Sequence, residues 1–532
     1  RPELDQAAMM TVPRACRLML ALILLPVVGA VLMTTGPAHR LHAQDGDPAT
    51  AFSDAERDEF LAITRSTLGN GHRAAKAESV ADSVGEMDAR AKERMDRMLR
   101  GLRERERDRT RKELLRRFID VLAAGDDRHA TDNDTRPADD GKPAAPEAGQ
   151  IEAATEFLRK DAAGRAEQIT QLDADHGKLD KATAAQWTAA ALKAAAAAGT
   201  FKANGETLQA GGHTMRYHVE GELKAGDPLF IYLHGGGADA QTNDVCWRAV
   251  FNVHKGFGFS AGVSARVPDD TSVVGWREDS AVMCIARLID ELVNTHQLDT
   301  NRIYIVGGSM GAWGISTMAP ALADRVTAFC CHYGGGCEYR GFGMENTRNT
   351  PMCIGIGDAD TQFGRLQGTR FLKDLLVKLH EADPAGYDLH YEEWPGGGHA
   401  PGRGCEATFG KWLLERTRDP APKTIAWQPT RGFRNRFAWL ERAAPVAVRP
   451  GVSNLLAKAV IEGNTIRLTG NAAGLIINLN DDLVDLSQPV KVMSGDSVVF
   501  NGKVARRASL VLQSVATSPD PARVYCARIE LK

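Results

Sequence analysis

Short apolar runs that alternate with helix-like segments constrain the fold of this chain more than any other feature. Strand-like segments lie at residues 214–219, 228–233, 303–306, 352–356 and 389–394. Helix-like segments lie between them or follow them, at residues 313–322, 370–380 and 409–415. Alternation of this kind predicts an α/β domain with a doubly wound, mostly parallel sheet. We place this domain at residues 205–418.

The segments on either side have other patterns. Residues 53–124 are densely charged and free of proline, which predicts a helical region with a solvated surface. Residues 125–150 are rich in Asp, Pro, Ala and Gly and predict a disordered linker, after which residues 151–200 are again helix-like. Residues 424–532 predict a small β-rich module, with strands at 459–468, 474–479, 490–492, 497–500 and 523–531.

The N-terminal segment has the features of an export signal. Arg14 and Arg17 precede an apolar run at residues 18–33, and a small-residue site follows at 41–43. The run is shorter than the about 20 residues that span a bilayer. We therefore predict a signal peptide at residues 1–43, with the natural start at Met9 or Met10, and a secreted or periplasmic protein. The alternative is an uncleaved anchor, and only then would we expect contact with a membrane.

Charge and cysteine content exclude some functions and leave others open. The formal net charge of −3, with 25% charged residues, gives no reason to expect a nucleic-acid partner. Loss of Cys16 with the signal leaves eight of the nine cysteines, an even number that permits disulfides in an oxidising compartment. No cysteine or histidine cluster has zinc-like spacing, so we expect no metal site. We also expect no organic cofactor.

The motif Gly307-Gly308-Ser309-Met310-Gly311 carries the first sign of chemistry. Glycines on both sides of a serine allow a sharp turn from strand to helix that holds the hydroxyl out of the fold. Chance alone could produce the motif, but its context supports it, because the strand-like run at 303–306 precedes it and a helix-like segment follows. Ser309 is the predicted nucleophile.

A second glycine-rich loop lies upstream, at the end of the strand-like run 228–233. It reads His234-Gly235-Gly236-Gly237. Acyl transfer develops negative charge on a carbonyl oxygen, and backbone N–H groups that already point at that oxygen stabilise it. We predict that this loop, through Gly236, and the N–H of Met310 form an oxyanion hole.

A serine nucleophile needs a base, and the base needs an acid to orient it. In this fold the chain order is serine, acid, histidine. Two candidate acids, Asp358 and Asp360, follow the strand-like run 352–356, and His399 follows the run 389–394 in a glycine-rich loop. We predict His399 as the base. We favour Asp360 as the acid because it stands farther out on its loop, and Asp358 is the alternative.

Residues 299–311 resemble the corresponding region of a known group of hydrolases. The lead-in D-x-x-R, the serine followed by Met-Gly, an acid in a G-x-x-D loop and a late histidine are similar to the esterase D, feruloyl esterase and polyhydroxybutyrate depolymerase group, which includes related secreted peptidases. The resemblance covers residues 205–415 and implies an α/β-hydrolase fold. It maps the catalytic and oxyanion roles onto Ser309, Asp360, His399, Gly236 and Met310. Ala312 departs from the group, many members of which have glycine there, and we expect its methyl group to tighten helix packing.

These observations predict an exported serine hydrolase of the α/β-hydrolase fold. The expected substrate is a carboxylic ester, either small or part of a polymer or polysaccharide, cleaved through an acyl-enzyme. An oligopeptidase of the same fold is the alternative enzyme. The alternative from another class is an inactive hydrolase domain that serves in binding or adhesion.

Overall fold

A computed structural model describes residues 145–531, apart from 200, 237–238, 271–274, 337–340, 445, 450 and 453. The predicted signal peptide (1–43), the charged helical region (53–124) and most of the predicted linker lie outside the described residues. The helices are α1 (Ala148–Arg159), α2 (Ala162–His176), α3 (Lys181–Ala198), α4 (Ala240–Ala249), α5 (Val253–Gly256), α6 (Asp279–His296), α7 (Met310–Leu322), α8 (Arg365–Ala382), α9 (Cys405–Leu414) and α10 (Ala508–Thr517).

Three sheets contain the strands. The first eight strands are β1 (Thr207–Ala210), β2 (His213–Glu220), β3 (Leu229–Leu233), β4 (Gly262–Ala265), β5 (Ile303–Gly308), β6 (Ala328–Tyr333), β7 (Met352–Gly357) and β8 (Leu389–Trp394). The others are β9 (Thr424–Trp427), β10 (Arg436–Phe437), β11 (Leu440–Arg442), β12 (Ala457–Glu462), β13 (Thr465–Gly470), β14 (Leu475–Leu479), β15 (Val490–Ser494), β16 (Ser497–Gly502) and β17 (Ala527–Glu530).

The large sheet has the strand order β1-β2-β4-β3-β5-β6-β7-β8. Strands β1 and β2 are antiparallel to their neighbours, and every pair from β4 to β8 is parallel. Strands β3 and β5 are buried along their whole length, as expected for parallel strands covered by helices on both faces. The predicted α/β class with a mostly parallel sheet is confirmed. The carboxyl ends of β3, β5, β7 and β8 meet at one edge, where the loops of interest lie.

The C-terminal module holds two smaller sheets, with the orders β10-β11-β14-β17 and β16-β15-β13-β12-β9. It is β-rich as predicted, but residues 459–468 do not form one strand. They form parts of the hairpin β12–β13, because Gly463 (φ +57°) turns the chain between them. The module also contains helix α10, which the sequence analysis did not predict.

Helices α1 to α3 share one hydrophobic core with the C-terminal module. Phe157 and Trp187 are buried in the same cluster as Trp427 and Trp439. Helix α3 begins at an Asp180 cap, whose carboxylate accepts the N–H of Thr183 at 2.7 Å, and it buries a face of alanines. The predicted helical segment 151–200 and the predicted β-rich module 424–532, which are far apart in the sequence, pack together in this core. Helix α1 also begins within the predicted linker, at Ala148, after a capping box of Glu147 and Gln150.

Candidate active site

Ser309 lies at the turn between β5 and α7. Its φ of +54° and ψ of −116° are strained for a residue with a side chain, and such strain marks a serine held on a sharp turn. The Ser309 N–H donates to the carbonyl oxygen of Tyr333 at 2.8 Å, which fixes the turn to β6. No side chain fits at Gly311, where a Cβ would collide with the Leu233 carbonyl. The turn therefore depends on glycine where helix α7 approaches β3.

Three predicted side chains meet above this turn. Ser309 Oγ lies 2.8 Å from His399 Nε2, and His399 Nδ1 lies 2.7 Å from Asp360 Oδ2. Asp360 follows β7 and is buried, while the side chain of His399, in the loop after β8, is 33% exposed. A substrate could thus reach the histidine and the serine but not the acid.

Asp358 makes a different contact. Its Oδ1 accepts the N–H of Gly396 at 2.7 Å, which ties the loop after β7 to the loop that carries His399. Of the two candidate acids, only Asp360 is hydrogen-bonded to the imidazole. Asp358 instead supports the loop.

A buried arginine contacts the acid from its other side. Arg365, the first residue of α8, donates from Nε to Asp360 Oδ1 at 2.6 Å. The side chains of Arg365 and Asp360 are 8% and 1% exposed, so this is a buried ion pair. Both carboxylate oxygens of Asp360 therefore have partners. Sequence reasoning missed Arg365, because no pattern distinguishes it from other arginines at the start of a helix.

The loop after β3 lies against the serine. A Cβ at Gly235 would be 3.1 Å from the Cβ of Ser309. The next residue, Gly236, has φ +101°, and Gly237 lies outside the described residues. Among the described residues, none accepts a hydrogen bond from the N–H of Gly236 or of Met310, the first residue of α7. Within the described part of the chain, two backbone donors near the serine therefore have no acceptor.

His234 fixes the direction of one of these donors. Its imidazole is buried, its Nε2 accepts the N–H of Val267 at 3.2 Å, and its Nδ1 lies 2.5 Å from the carbonyl oxygen of Gly235. An amide N–H can only donate, so Nε2 is the acceptor and the proton is on Nδ1. The Nδ1–H of His234 therefore donates to the Gly235 carbonyl oxygen and holds it in place. In a trans peptide the N–H of Gly236 then points the opposite way.

Side chains from three further elements surround the serine. Tyr333 packs its ring 5.5 Å from that of His399, and Cys246 of α4 would be 3.0 Å from a Cβ at Gly236. Ala312, the departure from the resembled group, is fully buried, and its methyl group fills space against Gly335. Its burial agrees with the expected packing role.

The seven described cysteines are all free, so no disulfide forms among them; Cys337 lies outside the described residues. Six of the seven are buried. Within the same part of the chain, no helix combines the length and apolar character that a membrane span requires. One group of side chains, His332, Cys405 and Glu406, has ligand atoms close enough to hold a metal ion. Sequence spacing could not reveal this group, because strand β6 and helix α9 bring it together.

The order of the large sheet, the strand–serine–helix turn and the loops after β7 and β8 define an α/β-hydrolase fold. No protein-family model matches the sequence, and no curated protein does. Among solved structures, the chain is similar to a thermostable esterase, with 18% identity, 40% of this chain, 62% of that chain and a TM-score of 0.31. That match spans less than two thirds of the thermostable esterase.

Two other solved structures are similar to this chain over a comparable share of its length. A Bacillus cereus carboxylesterase is 15% identical over 38% of this chain and 94% of its own, with a TM-score of 0.30. Est1E from Butyrivibrio proteoclasticus, solved with ferulic acid bound, is 14% identical over 40% of this chain and 98% of its own, with a TM-score of 0.30.

Proposed function

We propose that this protein is a serine hydrolase that cleaves carboxylic esters through an acyl-enzyme. The observation that carries the proposal is the continuous relay from Ser309 Oγ through His399 to Asp360, with separations of 2.8 and 2.7 Å. Both lie within the range in which a base takes a proton from a nucleophile and is oriented by an acid. No described residue accepts a hydrogen bond from the N–H groups of Gly236 and Met310, and this supports a place for the oxyanion beside the relay.

In the first step, Ser309 Oγ attacks the ester carbonyl carbon while His399 Nε2 takes the hydroxyl proton. The Asp360 carboxylate accepts a hydrogen bond from the Nδ1–H of His399. The proton stays on Nδ1, so Nε2 is the lone-pair nitrogen that faces the serine. The carbonyl π electrons move to oxygen and form a tetrahedral oxyanion. The N–H groups of Gly236 and Met310 stabilise that charge.

Collapse of the oxyanion breaks the bond to the alcohol, which leaves with the proton from His399. The Ser309 acyl-enzyme remains. Water then gives a proton to His399 and attacks the acyl carbon. The second oxyanion collapses, the bond between Ser309 Oγ and the acyl carbon breaks, and His399 returns the proton to Oγ, which releases the carboxylic acid and restores Ser309 and neutral His399. No metal or organic cofactor takes part in this scheme.

Labelling by a fluorophosphonate tests the proposal directly. We expect the wild-type chain to be labelled with one adduct per molecule and Ser309→Ala to remain unlabelled. Ser316→Ala is a matched control, because Ser316 lies on the same helix α7 with its hydroxyl bonded to the Trp313 carbonyl. An unlabelled wild type would support the inactive binding module instead.

A substrate panel separates the two enzymatic alternatives. We propose esters over peptides because of the resemblance of residues 299–311 to the esterase group. Hydrolysis of p-nitrophenyl acetate and butyrate without hydrolysis of peptide anilides is the expected result, and the reverse would support an oligopeptidase. Aryl esters, polyhydroxyalkanoates and esterified polysaccharides in the same panel show whether polymers are substrates.

Export is part of the proposal. Its support is the basic and apolar pattern at residues 14–33 with the small-residue site at 41–43. Expression of the full chain, followed by N-terminal sequencing of the protein outside the cytoplasm, tests it. We expect the mature chain to begin after residue 43, and a chain that stays unprocessed with the membrane fraction would contradict cleavage.

A further inference from the structure

Behind the serine turn lies a buried group of three side chains that the proposed reaction does not use. His332 is on β6, and Cys405 and Glu406 are the first two residues of α9. His332 and Cys405 are 1% and 2% exposed, and the side chain of Glu406 is 29% exposed. A thiol, an imidazole and a carboxylate therefore meet here, and of the three side chains Glu406 is the one that is partly exposed to solvent.

The separations between their ligand atoms fit a tetrahedral metal site. His332 Nε2 lies 3.4 Å from Cys405 Sγ and 3.3 Å from Glu406 Oε1, and Sγ lies 3.6 Å from Glu406 Oε2. Tetrahedral zinc, with bonds of about 2.3 Å to sulfur and about 2.0–2.2 Å to nitrogen and oxygen, places its ligand atoms about 3.3–3.6 Å apart. A small rotation of the Glu406 carboxylate would let one oxygen face both other ligands.

The imidazole is already held in the orientation that a metal ligand needs. Its second nitrogen, Nδ1, lies 3.1 Å from the hydroxyl of Tyr232. The rings of Phe257 and Tyr333 pack edge-on against it, with centroids 4.9 and 5.3 Å away. Metal-bound histidines ordinarily have such a partner on the other nitrogen, which fixes the ring.

We propose that His332, Cys405 and Glu406 bind a divalent transition metal of the zinc type. The mixture of sulfur, nitrogen and oxygen ligands favours Zn²⁺ over Mg²⁺ or Ca²⁺, which take oxygen ligands. A water on the solvent side of Glu406 completes four ligands. On binding, the metal replaces the thiol proton of Cys405, which passes to solvent. The imidazole proton then resides on Nδ1, which donates a hydrogen bond to the Tyr232 oxygen.

The proposed site lies next to the serine turn, and we assign it a structural role. Its histidine precedes Tyr333, whose carbonyl oxygen accepts the Ser309 N–H at 2.8 Å. Its Tyr232 hydroxyl would be 2.5 Å from a Cβ at Gly308, so it packs against the serine turn. A metal bound to these three residues therefore links helix α9 to β6 and stabilises the serine turn. The proposal does not depend on the identity of the substrate or on the activity of Ser309.

Cobalt titration tests the site. The full chain is treated with chelator, dialysed and titrated with Co²⁺, and the expected result is a thiolate-to-cobalt charge-transfer band that saturates at one equivalent. Cys405→Ser should remove the band. Cys526→Ser, which removes a buried thiol of the C-terminal module, should keep it. No band in the wild type, or a band that persists in Cys405→Ser, would overturn the proposal.

Thermal unfolding gives a second measurement that does not rely on the cysteine variant being folded. A ligand that binds only the folded state raises its stability as its concentration exceeds Kd. We expect Zn²⁺ to raise the Tm of the wild type and to raise it less in Glu406→Gln, which keeps the shape of the side chain but weakens the ligand. Equal Tm shifts in both proteins would count against the site.

Discussion

Arg365 donates a hydrogen bond from Nε to Oδ1 of Asp360 at 2.6 Å, and both side chains are buried. The acid of the proposed relay is thus held from two directions, by His399 on one oxygen and by a guanidinium on the other. An arginine suits this place because its planar group stays charged and directs its N–H bonds. The loop after β7 that carries Asp360 and the helix that begins at Arg365 are joined through this contact.

We predict that Arg365→Met lowers both stability and activity. Removal of one partner of a buried ion pair leaves an uncompensated charge and costs about 3–5 kcal/mol. Urea unfolding and kcat/KM for a p-nitrophenyl ester measure the two effects. Arg370→Met is the control, because Arg370 lies on the same helix α8 but pairs with Glu393 at the surface. Equal stability of the two variants would contradict the role of Arg365.

The two aspartates after β7 are predicted to differ strongly. Asp360→Asn keeps the shape of the acid but presents the wrong hydrogen-bonding group to His399, and we expect kcat to fall by about 10⁴. Asp358→Asn retains an oxygen that can accept a hydrogen bond from the Gly396 N–H. We therefore expect kcat of this variant to fall by no more than about tenfold. Steady-state kinetics on one ester distinguish them. Comparable losses in both variants would show that the loop tie matters as much as the relay.

His234 is predicted to act by positioning the oxyanion loop. His234→Ala removes the hydrogen bond that holds the Gly235 carbonyl, so the Gly236 N–H is no longer fixed, and kcat should fall by up to about 10²–10³, the cost of one oxyanion donor. KM should change little, because the bond matters mainly in the transition state. His234→Asn can still donate near Nδ1 and should keep more activity than His234→Ala.

The matched control for these variants is His254→Asn. His254 is also buried, but it lies on α5, and its Nε2 has no hydrogen-bond partner among the described residues. We expect its kcat to equal that of the wild type. A rise in KM with kcat unchanged in His234→Ala would show that the histidine serves substrate binding and not the oxyanion.

The α/β class could be predicted because the long apolar strands of the sheet stand out against their surroundings. Strand β3 (Leu229–Leu233) and strand β5 (Ile303–Gly308) are apolar runs bounded by turns. Strand β4 (Gly262–Ala265) was missed, since only one of its four residues, Val263, is a branched apolar residue and the strand gains its burial from its neighbours in the sheet. Helix α10 was also missed, because a short segment of valines and leucines can form either a helix or a strand.

Only those residues of the site that belong to a local motif or follow a known chain order could be predicted from the sequence. Glycines around Ser309 and the order of acid and histidine gave the three side chains that the structure brings together. Arg365 and His332 have no motif, because their contacts arise where a helix meets a strand. The choice of Asp360 over Asp358 likewise depends on which carboxylate faces His399. The direction of a side chain on a loop cannot be predicted from the loop sequence alone.

A buried ion network joins helix α7 of the hydrolase domain to the C-terminal module. Asp324, two residues after α7, lies 2.8 Å from Arg523 and 3.2 Å from Arg434 of the module, and its Oδ2 accepts the N–H of Ala438. Burial alone would raise the pKa of Asp324, but the charges of Arg523 and Arg434 outweigh it and hold that pKa below its ordinary value. The pKa of Asp520 is also lowered, because the charge of its partner Arg418 outweighs the effect of burial, which would raise that pKa.

We therefore predict that acid weakens the attachment of the module. A carboxylate whose pKa is lowered by folding contributes stability that is fully present above its unfolded pKa of about 3.9 and is lost as the pH falls through the folded value. The free energy of unfolding should change little from neutral pH down to about pH 5 and fall steeply below about pH 4. Urea unfolding followed by tryptophan fluorescence measures it, since Trp427 and Trp439 lie in the shared core.

Asp324→Asn should lower stability at neutral pH by about 3–5 kcal/mol, the cost of breaking a buried pair, and should flatten the decline in acid. Asp279→Asn is the matched control, because Asp279 also pairs with an arginine of the module, Arg431, but its side chain is 55% exposed. Surface pairs contribute little, so this variant should follow the wild-type curve. If both variants shifted the curve equally, the acid dependence would come from general charge repulsion, and the buried network would not be its source.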